Sequence, residues 1–134
     1  MVLKWLRPLK TRWLTRALRG RRAEQAACDY LGARGYALIE RNVRFPVGEI
    51  DIVAREGQAL CFIEVRSTSS QQWGGPLASI TDRKRRRLIR AAQWYLRYCP
   101  VRAIEMRFDV VAIEWQASTP PRIELVQGAF TADP

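Results

Sequence analysis

The stretch 48-GEIDIVAREGQALCFIEVRS-67 sets two apolar runs around a short polar interruption, and its reading decides the fold. "GEIDIVA" and "ALCFIEVRS" each have the β-branched content of a strand, and a link as short as "REGQ" makes them an antiparallel hairpin. Asp51, Glu64 and Arg66 lie inside these runs, where burying charge is costly unless it is paired. Side chains alternate along a strand, so Glu64 shares a face with Arg66, and Glu49 with Asp51. With "REGQ" as a four-residue loop, Ala54 pairs with Ala59, Asp51 faces Phe62 diagonally from Glu64, and Glu49 faces Glu64. A slip of two residues would set Asp51 directly across from Glu64 and keep the acids on one face.

Working outward, "RAEQAACDYLGARGY" carries Ala23, Ala26, Ala27, Tyr30 and Leu31 at helical spacing, with Gly35 as a left-handed cap. "YALIERNVRF" is expected to form a strand ahead of the hairpin. After the hairpin, "TSSQQWGGP" is turn-rich, and a second helix is expected from about Ser79 to Cys99. Its apolar stripe is Ile80, Leu88, Ala91, Ala92, Tyr95 and Cys99; Lys84 falls within the stripe, and Arg83, Arg85, Arg86 and Arg90 fall outside it. "MRFDVVAIEW" and "RIELVQGAF" complete the pattern as strands. Helix, three strands, helix, two strands predicts an α/β sandwich, a mixed central sheet flanked by helices.

The 134 residues suffice for one domain with a real core, and the net charge of +10 is unevenly placed. Residues 1–22 contain Lys4, Arg7, Lys10, Arg12, Arg16, Arg19, Arg21 and Arg22 and no acid, so the rest of the chain is nearly balanced. Residues 1–20 read as a basic arm of helical pieces, interrupted by Pro8 and closed near Gly20, ahead of a folded domain at 21–134. The second basic run, "DRKRRRLIR", covers 82–90. Two basic patches with interspersed Trp and Tyr favour a polyanion: nucleic acid first, an anionic membrane surface met by the arm second. Apolar runs are too short for a transmembrane segment or a secretory signal, so a cytoplasmic location is expected.

Histidine is absent, which removes His-based nucleophile systems and nearly all His-dependent zinc chemistry. Cys28, Cys61 and Cys99 are odd in number and widely spaced, and read as small buried hydrophobes. Acid–base and metal work is left to carboxylates, Lys and Arg. Carboxylates gathered on one face repel unless a cation separates them, and an oxygen-only donor set suits Mg2+ or Mn2+. The plainer alternative is that Asp51 and Glu64 pair with Arg66 and other arginines.

"AEQAACDYLGARGY", "ERNVR", "GEID", "FIEVR", "WGGP", Lys84 and "RFDVV", in this order, resemble the YraN-like family of small bacterial proteins. That family is similar in fold to the restriction-endonuclease-like PD-(D/E)xK nucleases, archaeal Holliday-junction resolvases among them. The resemblance spans roughly residues 21–114. It implies that Asp51 and Glu64 are metal ligands and that Glu24, on the first helix, is the additional acid of the site. Arg66 stands where these nucleases usually carry a catalytic lysine, and unlike lysine it cannot give up a proton at working pH. Lys84, on the inward side of the second helix, is a candidate substitute. Asp109 is expected to pair with Arg107 or another basic group rather than hold metal, and Trp73 is a candidate stacking surface for a base.

The expectation is therefore a Mg2+- or Mn2+-dependent nuclease-like protein acting on DNA, with branched or processed structures as the suggested substrates. Arg83, Arg85, Arg86, Arg90 and Trp73 would contact the nucleic acid. The rivals are a non-catalytic nucleic-acid-binding module on the same scaffold and a membrane-associated or protein-binding adaptor.

Overall fold

The computed structural model describes residues 7–69, 80–102 and 105–132, with side chains described from residue 20 onward. Residues 1–6 of the basic arm and Trp73 lie outside the described residues.

The first helix, α1 (Arg7–Ala33), is longer than its pattern suggested and runs through Gly20 without a break. Pro8 sits in its first turn, where a missing N–H costs nothing, and a single interior glycine costs only about 1 kcal/mol. The helix stops where expected: Gly35 takes φ +89°, and the Tyr36 N–H donates back to the Leu31 carbonyl at 3.1 Å.

Five strands follow: β1 (Ala37–Phe45), β2 (Gly48–Glu56), β3 (Ala59–Thr68), then after α2 (Asp82–Tyr98) β4 (Glu105–Glu114) and β5 (Arg122–Phe130). They form one sheet in the order β1-β2-β3-β4-β5. Only β3 and β4 run parallel, the pair that α2 connects; every other neighbour is antiparallel. Strands β2, β3 and β4 are covered on both faces, which explains their long apolar runs. Ala23, Ala27 and Leu31 of α1 pack on Ile52, Ala54, Cys61, Ile63, Val111 and Ile113. On the other face Leu88, Ala91, Ala92 and Tyr95 of α2 pack on Ile50, Val53, Leu60, Phe62 and Phe108. The expected sandwich is therefore present, a mixed sheet between two helices. Cys28, Cys61 and Cys99 are free thiols, Cys61 fully buried and the other two partly so. Among the described residues, no helix is long and apolar enough to cross a membrane.

The hairpin corrects the four-residue-loop register. Arg55 and Glu56 belong to β2, Glu56 pairs with Ala59, and only Gly57 and Gln58 make the turn, Gly57 at φ +58°. Ala54 thus pairs with Cys61, and continuing the same register sets Asp51 across from Glu64 and Glu49 across from Arg66. The alternation also fails once. Ile50 packs under α2 and Ile52 under α1, although residues two apart share a face in a regular strand. On β1, Val43 and Arg41 oppose these two residues, and Asn42 between them has φ +53°. Asp51 therefore sits where both strands turn over, and the statement that Glu49 and Asp51 share one regular face does not hold.

Candidate metal and nucleic-acid site

Asp51 is held at the fork between β2 and β3. The paired ladder of these strands ends at Ile52 and Ile63, and beyond it the Val65 N–H donates 2.8 Å to Asp51 Oδ2 instead of to a strand carbonyl. A backbone donor thus fixes the carboxylate. Glu64 and Arg66 follow on the α2 side of β3, and their side chains pair at 3.7 Å.

Glu49, Glu64, Arg66, Lys84, Arg87 and Leu88 line one cavity of about 220 Å³. Two local devices set this geometry. The Thr81 hydroxyl caps α2 by accepting the Lys84 N–H at 3.2 Å, which fixes the turn that carries Lys84. Gly48 lets β2 approach the helix backbone so closely that a Cβ there would lie 2.8 Å from the Arg87 carbonyl oxygen. Any larger residue would push α2, and with it Lys84 and Arg87, away from the acids.

Glu24 reaches the cluster from the other layer. Arg41 stands nearby, its Nε 3.8 Å from Glu24 Oε1, too far for a hydrogen bond. That oxygen is buried and has no hydrogen-bond partner among the described residues. Burial, then the Glu64 charge, with smaller contributions from Glu24 and Glu49, push the Asp51 carboxyl up to about 7, and the Val65 N–H opposes the rise. Burial also raises Glu64, and Arg66 and Lys84 oppose the rise. Both acids are thus held back from ionising, first by burial and then, at Asp51, by the neighbouring acids. Among the described residues, no three Asp, Glu, Cys or His side chains close to metal-binding distance, so the third acid is a neighbour and not part of a ready-made three-ligand set.

The structure gathers Glu64, Arg66 and Lys84 around one cavity, with Asp51 outside its lining but close enough to feel the charges of Glu64 and Glu24. Lys84 is exposed yet lines the acid cavity. Arg83, Arg86 and Arg90 are exposed along α2, while Arg85 is partly buried with its guanidinium over the Phe130 ring at 5.7 Å. Arg85, Arg86 and Arg90 line a separate open cleft against the C-terminal residues Ala129–Ala132. Sequence reasoning missed Arg87, although its position three residues after Lys84 puts both on one side of a helix. It also missed Glu49 as a lining residue of the cavity.

Asp109 is not a ligand of this site. It is fully buried on β4 in register with Ile63, where Arg107 binds both its oxygens at 2.8 and 2.9 Å. Tyr36 and the Gly128 N–H add donors at 2.9 and 3.0 Å, and Arg107 also pairs with Glu56 at 2.9 Å. The expected Arg107 partner is present, inside a larger network.

The family model described as "Uncharacterised protein family UPF0102" matches residues 23–113. A UPF0102 protein of Moorella thermoacetica is 45% identical over 119 residues, covering 87% of this chain and 98% of the relative. One from Desulfosudis oleivorans is 41% identical over 114 residues, covering 85% and 90%. One from Dechloromonas aromatica is 43% identical over 119 residues, covering 89% and 93%. The match begins one residue before Glu24 and ends after β4 reaches Ile113, so it takes in both helices' contributions to the site.

Proposed function

We propose, from the premise that the chain belongs to the UPF0102 (YraN-like) family, that it is a divalent-metal-dependent nuclease acting on DNA. The observation that carries this reading is the meeting of Asp51 and Glu64 at a strand fork, beside a small cavity lined by Lys84, Arg87 and Arg66. The donor set fits the ion. Mg2+ and Mn2+ prefer oxygen, and Mg2+ is commonly held by one or two carboxylates, with water and substrate phosphate completing its shell. Two acids that resist ionising together, with a buried, unbonded Glu24 oxygen nearby, suit a divalent cation better than they suit an empty fold.

A cation bound there would polarise a phosphodiester and make water a better nucleophile. The chain's own residues do the rest. Asp51, fixed by the Val65 N–H, and Glu64 present carboxylate oxygens to the ion, while Glu24 adds negative charge from α1. Lys84 and Arg87 face the same cavity and would hold phosphate oxygens. Arg66 can orient phosphate but cannot shuttle a proton, so general acid–base work through a side chain is open to Lys84 and to a carboxylate such as Glu49 on the same cavity. Arg83, Arg86 and Arg90 extend positive charge along the exposed side of α2. Basic residues in the first turn of a helix oppose its dipole, a local cost that a bound polyanion offsets.

One observation favours a second reading. Arg66 pairs with Glu64, so the chain supplies part of the counter-charge itself, as a DNA-binding module without turnover would. Cleavage assays on single-stranded, branched and duplex DNA in Mg2+ or Mn2+ separate the two. The nuclease reading expects metal-dependent cleavage that Asp51→Asn and Glu64→Gln abolish, Lys84→Ala depresses and Arg66→Lys accelerates. Wild type and Arg66→Lys both inert on every substrate, yet tightly bound to DNA, would replace it with the binding module.

A further inference from the structure

The acid cavity opens on the α2 side of the sheet, where Leu88 of its lining belongs to the core between α2 and the strands. Phe45, at the end of β1, packs against that same core. It pairs with Gly48, whose close approach to the Arg87 carbonyl joins β2 to α2 beside the cavity. Arg44, the residue before Phe45, pairs at 3.5 Å with Glu49 of the cavity lining. Phe45 is thus a neighbour of the cavity in the same layer.

From Phe45 a row of rings leads along the helix. The centroids of Phe45 and Trp94 are 5.8 Å apart, and those of Trp94 and Tyr98 are 5.3 Å apart. Arg87, Trp94 and Tyr98 are spaced i, i+7 and i+11, which keeps them on one side of α2. At a rise of about 1.5 Å per residue, Trp94 stands about 10 Å and Tyr98 about 16 Å beyond Arg87 along the axis. The row therefore starts at the cavity and runs toward the C-terminal end of α2.

These rings do not close on one another. Phe108 and Phe130 show what closure looks like, with centroids 4.9 Å apart and planes within 14° of parallel. The planes in the row meet at 44° and 52°. Tyr98 is 59% exposed even though the Arg97 guanidinium stands 5.5 Å from its centroid. The flanks are cationic: Arg44, Arg87, Arg90 and Arg97 are exposed, and residues 83–104 contain no acid. The charge of Glu40, on β1, acts on Tyr95 and Cys99, on the side of α2 turned to the sheet. Open rings between positive charges suit a ligand that carries planar groups on a polyanionic backbone.

We infer that the Phe45–Trp94–Tyr98 row is the stacking platform for an unpaired strand whose phosphate lies at the acid cavity, with Arg87, Arg90 and Arg97 along its backbone. Both faces of a base inside a duplex are already covered by its neighbours, so only an unstacked base can offer a face to these rings. The inference rests on the nuclease reading for the position of the phosphate, and it narrows the substrate class to single-stranded DNA or branched DNA with unpaired bases.

The test is binding by the full chain carrying Asp51→Asn, which removes turnover from the measurement. Fluorescence anisotropy would follow a labelled single-stranded DNA oligonucleotide and a blunt duplex of the same length. Added Tyr98→Ala, at an exposed position that does not threaten the fold, should weaken single-strand binding about fivefold or more, within the range base stacking supplies. Duplex affinity should move less than about twofold. Tyr98→Phe should keep most of the single-strand affinity, and Trp94→Leu, once circular dichroism shows it folded, should repeat the bias of Tyr98→Ala. Equal losses on both substrates, no loss on either, or no single-strand binding at all would overturn the inference. So would Tyr98-dependent binding to vesicles of anionic phospholipid by a protein that ignores single strands, which would make the row a membrane contact. The two readings fail separately. Tyr98-dependent single-strand binding by a protein that never cleaves leaves the aromatic row and removes the nuclease. Metal-dependent cleavage with single-strand affinity indifferent to Tyr98 and Trp94 does the reverse.

Discussion

Two charged clusters of the same residue types lie on the sheet with opposite outcomes. In one, Asp109 is fully buried and fully answered: Arg107, Tyr36 and the Gly128 N–H all donate to it, and Glu56 takes the remaining reach of Arg107. Gln127 closes the circuit by donating to both the Tyr36 oxygen and Glu56. In the second cluster Asp51 receives one backbone N–H, and the charges that raise its carboxyl are the acids Glu64, Glu24 and Glu49. One cluster is complete as protein, and the other is, on the proposed reading, completed by a cation. A buried acid therefore marks a candidate site by what surrounds it, and not by being buried.

Breaking the complete cluster should have the largest effect. Asp109→Ala leaves a half-buried guanidinium without its main partner and should cost about 3–5 kcal/mol in urea unfolding, the range for breaking a buried pair. Asp51→Asn should act in the opposite direction, stabilising the metal-free protein. A destabilisation there as large as at Asp109 would mean that the two clusters are built alike. Gly48→Ala comes next. Its Cβ would meet helix backbone, not a yielding side chain, so a loss of about 1–3 kcal/mol is expected together with weaker metal and DNA binding. Unchanged stability would show that α2 can move freely away from β2. The smallest effect belongs to Thr81→Ala, at about 1 kcal/mol for the lost cap; it should impair cleavage more than duplex binding because it loosens the turn bearing Lys84.

The sandwich was legible because β2, β3 and β4 carry clear apolar runs and α2 a clear stripe, and the acids were legible because they interrupt apolar runs. The hairpin register was not, since a slip of two residues leaves every side chain on its original face and the hydrophobic pattern cannot see it. Gly57 at φ +58° decides the turn, and "REGQ" alone gives no sign that Arg55 and Glu56 stay in the strand. The turnover at Asp51 depends on the backbone of Asn42, a partner nine residues away that periodicity does not reach. The unbroken α1 escaped for another reason: one interior glycine costs a helix only about 1 kcal/mol and does not by itself end it.

The central claim, that the Asp51–Glu64 cluster is a cation site, makes a signed prediction about pH. An unfolded Asp ionises near pH 4, whereas folding holds Asp51 up to about 7 and raises Glu64 with it. Between those values the folded state keeps a proton that the unfolded state has lost, so metal-free stability falls as pH rises through the window and the penalty is complete above it. Thermal unfolding from pH 5 to 8, with and without Mn2+ or Mg2+, is the direct measurement. The wild type should lose melting temperature toward pH 8 without metal and recover it when the ion is added, because the ion binds only the folded, deprotonated cluster. Asp51→Asn should melt higher than wild type at pH 8 without metal, vary less with pH and gain nothing from the ion. Equal pH slopes and equal metal-induced shifts in the two proteins would contradict the account.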